Sequence, residues 1–567
     1  MRLVECVPNF SEGRNQKVIN AIADAMRAVE GASLLDVDPG ASTNRTVMTL
    51  VGEPEAVLEA AFQGIACAAG LIDMRIQKGE HPRMGATDVC PFVPVSGVSM
   101  EDCARLAERL GERVGRELGI PVYLYAEAAR CEERKSLADI RKGEYEALPE
   151  KMKDPSFKPD FGPAKFNPGA GATVIGARPF LIAYNVNLNT KSRKLANEIA
   201  LTIREAGRNQ RNAEGKFVRD ADGNPVKAAG TLKACRAVGW VVEEYRRAQV
   251  SINLVDISQT SLHQAFDECE RLATELGMRV TGSEIVGLVP LGPMLDAGRH
   301  YLEKQGRSTA VSEKELIETA VQSLGLAELA PFDPALKIIE YRVAPEIAGL
   351  KDMTVKDFLD ELASESPAPG GGSVAALAGA MGASLAAMVA SLTFDKKGFE
   401  AERPLMNELG EKAQRLKVDL LKAVDDDTEA FNSIIAAMRL PKGSDEESRA
   451  RDRAILEASK EATLVPFAVM KKALASLDVI EQVAEKGNPN SLSDAGVAGL
   501  MALACGEGAY FNVLINLDGF DKEDKESQKF VRSTEKEASE VMEKLRNRAE
   551  HVRRSVLDRL IPQASLT

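Results

Sequence analysis

Hydrophobic and polar positions follow two alternating periods along the N-terminal part of the chain. A period of two indicates strands and a period near 3.6 indicates helices. The pattern predicts strands at residues 2–8, 33–38, 44–51, 88–95 and 121–126, and helices at residues 15–28, 54–70 and 100–118. A β-α-β-β-α-β order with additions is typical of an α+β sandwich with a mainly antiparallel sheet.

The same order recurs between residues 179 and 305. The segment from Asp88 to Val95 resembles the segment from Glu284 to Leu291 in pattern and in its Val-Pro ending. Either the chain contains a structural repeat or two buried strands have converged on one pattern. Two such lobes facing each other would form a cleft. Residues 209–230 are polar and Gly-containing, and we expect a surface insertion there.

The pattern changes after residues 344–352, where Ala and Leu become dense and no strand is predicted. We expect helices at residues 373–394, 401–440, 446–474, 491–517 and 523–558, which would form a bundle. The predicted fold class is therefore multidomain: two α+β sandwich lobes (βαββαβ-like, mainly antiparallel sheets) followed by an all-α helical bundle. The predicted boundaries are 1–178, 179–343, a linker at 344–352, and 353–567.

Composition narrows the class of protein. The 567 residues carry a formal net charge of −13, which disfavours nonspecific nucleic-acid binding. We expect no membrane-spanning helix, because such a helix needs roughly 20 uncharged residues and no segment is expected to approach that length. We expect no signal peptide, because the first residues enter a strand pattern directly. The eight cysteines contain no Cys-x-x-Cys pair, which predicts reduced thiols, a cytoplasmic protein and no structural metal.

His81 opens the loop segment His81-Pro-Arg-Met-Gly-Ala-Thr-Asp88, one of four histidines in the chain. The other three lie within helical patterns, whereas this one precedes an apolar strand. Catalytic side chains concentrate on loops held by rigid elements. The segment alone leaves two interpretations, a catalytic histidine or a turn histidine that caps a neighbouring carbonyl.

Asp427 interrupts an apolar stripe on the predicted helix 401–440. The stripe comprises Leu416, Leu420, Val424, Phe431, Ile434, Ile435 and Met438. A carboxylate on a buried face is costly unless it is paired, hydrogen-bonded or raised in pKa. Asp427 is therefore either half of a structural ion pair or a residue of a functional site.

Other polar groups belong to the same predicted bundle. Glu507, Asn512 and Asn516 lie on a helix that is otherwise apolar, where they would line a cavity or satisfy one another. The turn Gly370-Gly-Gly-Ser373 precedes a helix, so its free N–H groups would suit an anion. It lacks the Gly-Lys-Ser/Thr of a phosphate-binding loop, and we expect no nucleotide.

Several longer motifs, in the same order along the chain, resemble a known family. Val4-Glu-Cys-Val-Pro-Asn-Phe-Ser-Glu-Gly13, Asp36-Val-Asp-Pro-Gly-Ala-Ser-Thr-Asn-Arg-Thr46, Gly79-Glu-His-Pro-Arg-Met-Gly-Ala-Thr-Asp88 and Gly171-Ala-Thr-Val-Ile-Gly-Ala-Arg178 resemble glutamate formimidoyltransferases. Ala368-Pro-Gly-Gly-Gly-Ser-Val374, Val424-Asp-Asp-Asp-Thr-Glu-Ala-Phe431, Met438-Arg-Leu-Pro-Lys442 and Ala509-Tyr-Phe-Asn-Val-Leu-Ile-Asn516 resemble formimidoyltetrahydrofolate cyclodeaminases. Together they resemble the bifunctional formimidoyltransferase-cyclodeaminase family.

The resemblance implies a folate-linked step of histidine breakdown with two active sites. The first moves the formimino group of N-formimino-L-glutamate to tetrahydrofolate, with His81 matching the catalytic histidine and Asp38 as a supporting residue. The folate segment implied by the family consists of Gly162, Pro163, Ala164, Lys165, Phe166, Asn167, Pro168, Gly169, Ala170 and Gly171. Lys165 would attract a carboxylate there, or is a solvated surface charge.

The second implied site closes the ring to 5,10-methenyltetrahydrofolate and releases ammonia. Asp427 matches the family's catalytic aspartate, and a pocket is expected at Gly371, Gly372, Ser373, Glu507 and Asn512. Tetrahydrofolate is a cosubstrate, (poly)glutamylated folate is the expected form, and neither metal nor nucleotide is needed. The family also implies a homo-oligomer, a ring built from dimers, without nucleic-acid or membrane partners.

Two alternative functions retain part of this interpretation. In the first, the chain transfers a formyl group from 5-formyltetrahydrofolate and acts as a methenyltetrahydrofolate cyclohydrolase. In the second, the chain is a non-catalytic oligomeric folate-binding scaffold, because apolar helices with small residues suit subunit packing.

Overall fold

The computed structural model describes residues 2–41, 44–79, 82–212, 216–220, 223–242, 245–343, 349–366, 368–521 and 523–561. The chain forms two compact units. One unit comprises residues 1–297 and 320–344, and the other comprises residues 298–319 and 345–567. Residues 298–319 therefore pack with the helical part, although they precede the predicted linker at 344–352.

The first unit begins with a seven-stranded mixed sheet. Its strands are β1 (Leu3–Cys6), β2 (Asn9–Phe10), β3 (Ala32–Gly40), β4 (Arg45–Gly52), β5 (Thr87–Ser96), β6 (Val122–Ala126) and β7 (Thr173–Ala177). Its helices are α1 (Gln16–Arg27), α2 (Pro54–Leu71), α3 (Met100–Glu117), α4 (Leu137–Arg141) and α5 (Glu144–Lys151). The pairings among β1 to β5 are antiparallel, whereas β7 runs parallel to β5 and β6.

The second sheet repeats the central order of the first. It contains β8 (Ile182–Leu188), β11 (Cys235–Val242), β12 (Arg247–Leu254) and β13 (Val280–Val286), with α6 (Arg193–Ile203) and α7 (Leu262–Glu275) as crossovers. Its order, β11-β12-β8-β13, matches β3-β4-β1-β5 of the first sheet. The two lobes therefore share a βαββαβ topology. The short pair β9 (Arg208–Asn209) and β10 (Lys227–Ala228) lies at the ends of the predicted insertion.

The core of the first lobe lies between the sheet and helices α1, α2 and α3. Val4, Cys6 and Phe10 face this core, as do Cys90 and Phe92 of β5. Strand side chains alternate between faces, so Glu5 and Asn9 lie on the opposite face. A smaller cluster that includes Val89, Tyr123, Tyr125 and Val174 covers part of that face together with residues of α4 and α5.

Several short elements do not follow a clear sequence period. The predicted strand 2–8 is two strands, because Val7 and Pro8 interrupt the ladder. The sequence pattern does not predict helices α4 and α5 or strand β7, since each of them is short. Strand β13 ends at Val286, and Gly287 with φ +83° turns the chain directly after it.

The C-terminal part is helical throughout its described residues. After α8 (Leu291–Lys304) and α9 (Glu313–Ser323) come α10 (Pro334–Lys337), α11 (Ile339–Arg342), α12 (Val355–Leu362), α13 (Gly371–Phe394), α14 (Arg403–Met438), α15 (Asp445–Lys486), α16 (Leu492–Asp518) and α17 (Lys525–Leu560). The small residues of α13 let its neighbours approach closely. A Cβ at Gly379 would lie 2.6 Å from the Cys505 sulfur of α16.

Two helices contradict the expectation that no segment is long and apolar enough to span a membrane. Gly371–Phe394 and Pro489–Asp518 meet that description by length and composition. In the first, 61% of the most apolar window is buried within the protein, and in the second 39%. Core helices of soluble proteins have the same properties, so length and composition alone are weak evidence for a membrane.

Candidate functional site

The loop that follows His81 is fixed by backbone hydrogen bonds; His81 itself lies outside the described residues. The Ala86 N–H donates to the Ala170 carbonyl at 2.9 Å, and the Ala172 N–H donates to the Met84 carbonyl at 3.1 Å. A Cβ at Gly85 would lie 2.3 Å from the Ala172 oxygen, so only glycine permits this approach. The structure thus brings the loop after His81 against the end of the segment 162–171.

The segment 162–171 is itself a well-braced loop. Asn167 accepts hydrogen bonds on its side-chain oxygen from the Gly169 and Ala170 N–H groups, at 3.1 and 3.0 Å. The Tyr145 hydroxyl donates to the Pro168 carbonyl at 2.7 Å, and the Tyr145 ring lies 5.4 Å from the Phe166 ring. These contacts orient the loop while residues 162–165 stay exposed. Lys165 makes no ion pair within the described residues.

Three charged side chains beside this loop form a cluster that the sequence analysis missed. Asp88 is 1% exposed, and its Oδ2 accepts from Arg45 Nη1 at 2.8 Å and from Arg141 Nη2 at 2.6 Å. Its Oδ1 accepts from the Met84 N–H at 3.0 Å, which ties the cluster to the loop. Arg45 also donates from Nε to the Asn9 side-chain oxygen at 2.9 Å. Burial lowers the pKa of Arg45; Asp88 opposes this effect, and Arg141 adds to it.

Asp38 occupies β3 on the same sheet face as Asn9. Its register partner on β4 is Val47, which in turn pairs with Asn9 on β2. Asp38 is exposed, so its carboxylate is open to a ligand on that face. This position is compatible with the supporting role implied by the resemblance.

A second carboxyl group missed by the sequence analysis is Glu5. It is 6% exposed and lies in register between Val51 and Val93, both fully buried. Burial raises its pKa to about 7, although Arg178 counteracts part of the effect. The sequence pattern does not reveal this burial, because a polar residue between the core residues Val4 and Cys6 is also what a strand with one solvent-exposed face shows.

The second candidate site lies where α14 passes the N-terminus of α13. The helix begins after Gly370, which has no side chain to cap it. Asp427 takes this role from α14, because it accepts from the Ser373 backbone N–H and from Ser373 Oγ, the latter at 3.3 Å. Burial raises the pKa of Asp427, and these two hydrogen bonds partly offset the rise.

Gly372 and Ser373 fix the position of this carboxyl group. A Cβ at Gly372 would lie 2.1 Å from Asp427 Oδ1, so no larger residue fits without movement. Ser373 is fully buried, and its single hydroxyl proton is shared between Asp427 Oδ2 and the Val424 carbonyl, which lies 2.9 Å from Oγ. Asp427, Gly372 and Ser373 therefore form one compact group.

The apolar stripe that singled out Asp427 is buried only in its first half. Leu416, Leu420 and Val424 belong to the core, but Phe431 is 42% exposed and Met438 is 53% exposed. The expectation of a continuous core face is therefore wrong, because the last turns of this 36-residue helix bury Ala430 and Ala437 instead. Within the described residues, Asp427 forms no ion pair.

The polar residues of α16 separate into different environments. A Cβ at Gly371 would lie 3.5 Å from the Asn512 side-chain nitrogen, which places Asn512 at the edge of the Asp427 group. Glu507 instead pairs with Arg546 of α17 at 2.8 Å and is 36% exposed. Asn516 donates to the Ala462 carbonyl at 2.8 Å. Asn512 is thus the member of this set nearest to Asp427.

Buried polar atoms without a hydrogen-bond partner lie at both candidate sites. Such atoms are rare and call for an explanation such as a water or a ligand. Among the described residues they include Thr87 Oγ1 and Arg141 Nε, beside and within the Asp88 cluster, and Thr428 Oγ1, next to Asp427. No group of three or more His, Cys, Asp or Glu that would suit a metal occurs in the described chain.

Models of known protein families match this chain in three segments, in the order in which the two candidate sites occur. Residues 3–178 match the formiminotransferase domain, N-terminal subdomain; residues 183–344 match the formiminotransferase domain; residues 354–557 match formiminotransferase-cyclodeaminase. The formimidoyltransferase-cyclodeaminase of Rattus norvegicus is 47% identical over 520 residues, covering 91% of this chain and 92% of the relative.

Two relatives correspond to separate parts of the chain. The glutamate formimidoyltransferase of Streptococcus pyogenes is 41% identical over 302 residues, 53% of this chain and 94% of the relative. The methenyltetrahydrofolate cyclohydrolase of Methylorubrum extorquens is 46% identical over 168 residues, 30% of this chain and 81% of the relative. Because the full-length similarity extends over both parts in one order, the chain belongs to the formimidoyltransferase-cyclodeaminase family.

Proposed function

We propose that this chain is a bifunctional enzyme of histidine degradation. It transfers the formimino group from N-formimino-L-glutamate to tetrahydrofolate and then cyclises 5-formiminotetrahydrofolate to 5,10-methenyltetrahydrofolate with release of ammonia. The observation that carries this proposal is the end-to-end similarity to a relative named for both activities. The braced loop beside Met84 and the raised pKa of Asp427 fit the chemistry that each step requires.

In the first reaction, a folate ring nitrogen attacks the formimino carbon while the glutamate nitrogen departs. The attacking nitrogen loses a proton and the departing nitrogen gains one. His81 is the proposed group that carries this proton, since a histidine with a reference pKa near 6.5 serves as base and acid at neutral pH. Residues 162–171 hold the folate, and Asp38 orients the histidine or the amidinium.

In the second reaction, the other folate nitrogen attacks the same carbon and ammonia leaves. Asp427 shuttles a proton to the departing nitrogen, a role that requires a carboxyl group whose pKa is raised towards neutrality. Desolvation supplies that rise. The proposed pocket wall consists of Gly371, Gly372, Ser373 and Asn512. Glu507 has a more peripheral role, because its carboxylate pairs with Arg546.

Ammonia release decides between this proposal and the formyl alternative. The similarity to a methenyltetrahydrofolate cyclohydrolase favours a second candidate activity for the C-terminal part, hydrolysis of the methenyl group. Purified protein supplied with N-formimino-L-glutamate and tetrahydrofolate should release glutamate and ammonia and form 5,10-methenyltetrahydrofolate. Formyl transfer from 5-formyltetrahydrofolate without ammonia would instead support the alternative.

The remaining expectations are proposals of the same kind. The functional units are 1–178, 179–343 and 353–567 with a linker at 344–352, and the matched family ranges support these boundaries. The protein works in the cytoplasm on (poly)glutamylated folate, as a homo-oligomer, and without metal or nucleotide. A non-catalytic folate scaffold would retain folate binding but show neither reaction.

A further inference from the structure

The Asp88 cluster carries more positive than negative charge. Two guanidinium groups, those of Arg45 and Arg141, share one carboxylate oxygen, Asp88 Oδ2. Both arginine side chains are only 14% exposed, and that of Asp88 is 1% exposed. Asp88 alone carries one negative charge against two guanidinium groups, so an anion that reaches the Arg141 side of the cluster is favoured.

Arg141 has an unused donor at this cluster. Its Nη2 donates to Asp88, whereas its buried Nε has no hydrogen-bond partner among the described residues. A guanidinium group presents its N–H donors in a fixed fork that suits the two oxygens of a carboxylate. Leaving such a donor buried and unpaired is costly unless a ligand or a water satisfies it.

The cluster is joined directly to the loop after His81. Asp88 Oδ1 holds the Met84 N–H, three residues after His81, and the Met84 carbonyl accepts from Ala172. In N-formimino-glutamate, only the amino nitrogen and the α-carbon separate the reacting carbon from the α-carboxylate. In folate, the carboxylates lie at the end of the molecule remote from the reacting nitrogen.

We propose that Arg141, together with Arg45, binds the α-carboxylate of the amino-acid donor in the first reaction. This inference rests on the proposed function, which identifies that donor as N-formimino-glutamate. Asp88 holds the two guanidinium groups in place and links them to the loop through Met84. The donor is thus bound through its carboxylate close to the proposed catalytic loop, and the folate carboxylates bind elsewhere.

The substitution Arg141→Gln tests this assignment by comparing two donors. The KM for N-formimino-L-glutamate should rise by about 10- to 100-fold, the effect of losing a charge-assisted contact. The KM for tetrahydrofolate should stay unchanged. N-formimino-γ-aminobutyrate, which lacks the α-carboxylate, should be a poor donor for the wild type, and the substitution should leave its kcat/KM unaltered.

Arg109→Gln provides a matched control, because Arg109 is an exposed arginine of the same lobe that pairs with Glu55. Arg141→Lys keeps the charge without the fork and should give an intermediate KM, which preserves the test if Arg141→Gln does not fold. A loss of activity that is equal for both donors would overturn the proposal and assign Arg141 a purely structural role.

A binding measurement separates this inference from the proposed function. L-Glutamate, the product of the first reaction, should bind the wild-type chain and bind Arg141→Gln more weakly in a calorimetric titration. If the wild type transfers no formimino group, the proposed function is wrong. If instead transfer occurs and glutamate binds both proteins equally, the carboxylate site is wrong.

Discussion

Asp427 has a structural contact and a proposed chemical role, and two substitutions separate them. Asp427→Asn keeps a side-chain oxygen that can accept from the Ser373 backbone N–H and hydroxyl. It removes the titratable proton. Asp427→Ala removes both the acceptor and the proton. If the proton matters, both variants lose the second reaction, but only the alanine variant loses the cap of α13.

The structure gives a magnitude for each effect. Removing a helix cap costs about 0.5–2 kcal/mol, so Asp427→Ala should be destabilised by that amount. Asp427→Asn replaces the carboxyl group by an uncharged amide, so it also removes the desolvation cost of the carboxylate that raises the pKa. The stability of this variant should therefore stay within about 1 kcal/mol of the wild type. Loss of a general acid lowers a rate by roughly 10²- to 10⁴-fold, which is the expected fall in cyclisation for both variants.

The assay follows formation of 5,10-methenyltetrahydrofolate and ammonia from added 5-formiminotetrahydrofolate, with urea denaturation as the stability measurement. Transfer from N-formimino-L-glutamate is measured in parallel and should be unaffected. The reasoning is refuted if Asp427→Asn cyclises at the wild-type rate while Asp427→Ala is destabilised. That result would leave Asp427 only its capping role.

Three further predictions use the same assays. Gly372→Ala should displace Asp427, since its Cβ would lie 2.1 Å from Asp427 Oδ1. The rate of cyclisation should therefore fall while the transfer reaction persists. Gly370→Ala is the control, because a Cβ at Gly370 meets open space. His81→Ala should abolish transfer and preserve cyclisation, and a folded variant lacking both would contradict the two-site proposal. Glu5→Gln should be more stable than the wild type at pH 8 but not at pH 4 in urea titrations. The folded-state pKa of Glu5, about 7, exceeds its unfolded value, so the wild type loses stability as pH rises between them, by up to about 3 kcal/mol.

The long periodic elements were predictable from sequence because burial on one face fixes their period. Helix α3 begins at Met100 with a Ser99–Asp102 capping box and ends at Glu117, close to the expected 100–118. The βαββαβ order of both lobes follows from the same signal, and the shared strand order supports a repeat over convergence. Helices α4 and α5 carry no such period, since they are short and cover only part of a sheet face.

The candidate sites were predictable only where a polar residue interrupts an apolar pattern or matches a family motif. Asp427 satisfies both conditions. Arg45 lies in one of the family motifs, whereas Arg141 lies outside them. Their shared contact with Asp88 was not predictable, because the two arginines are 96 positions apart and meet only through the fold (141 − 45 = 96). The spacing of residues in the sequence does not indicate such a contact.

Unpartnered buried atoms provide a second route to function that needs no motif. Packing alone does not explain why Arg141 Nε is left without an acceptor, since an apolar side chain of similar length would avoid the cost of an unpaired donor.

The same reasoning applies to Thr428, whose hydroxyl in a helix would normally donate to the carbonyl four residues earlier. That carbonyl, Val424, already accepts from Ser373, and the Thr428 hydroxyl is left for a ligand next to Asp427. Thr428→Val should therefore raise the KM for 5-formiminotetrahydrofolate without loss of stability, because it replaces an unsatisfied hydroxyl by a methyl group of the same shape. An unchanged KM would refute the proposed contact between the Thr428 hydroxyl and the substrate.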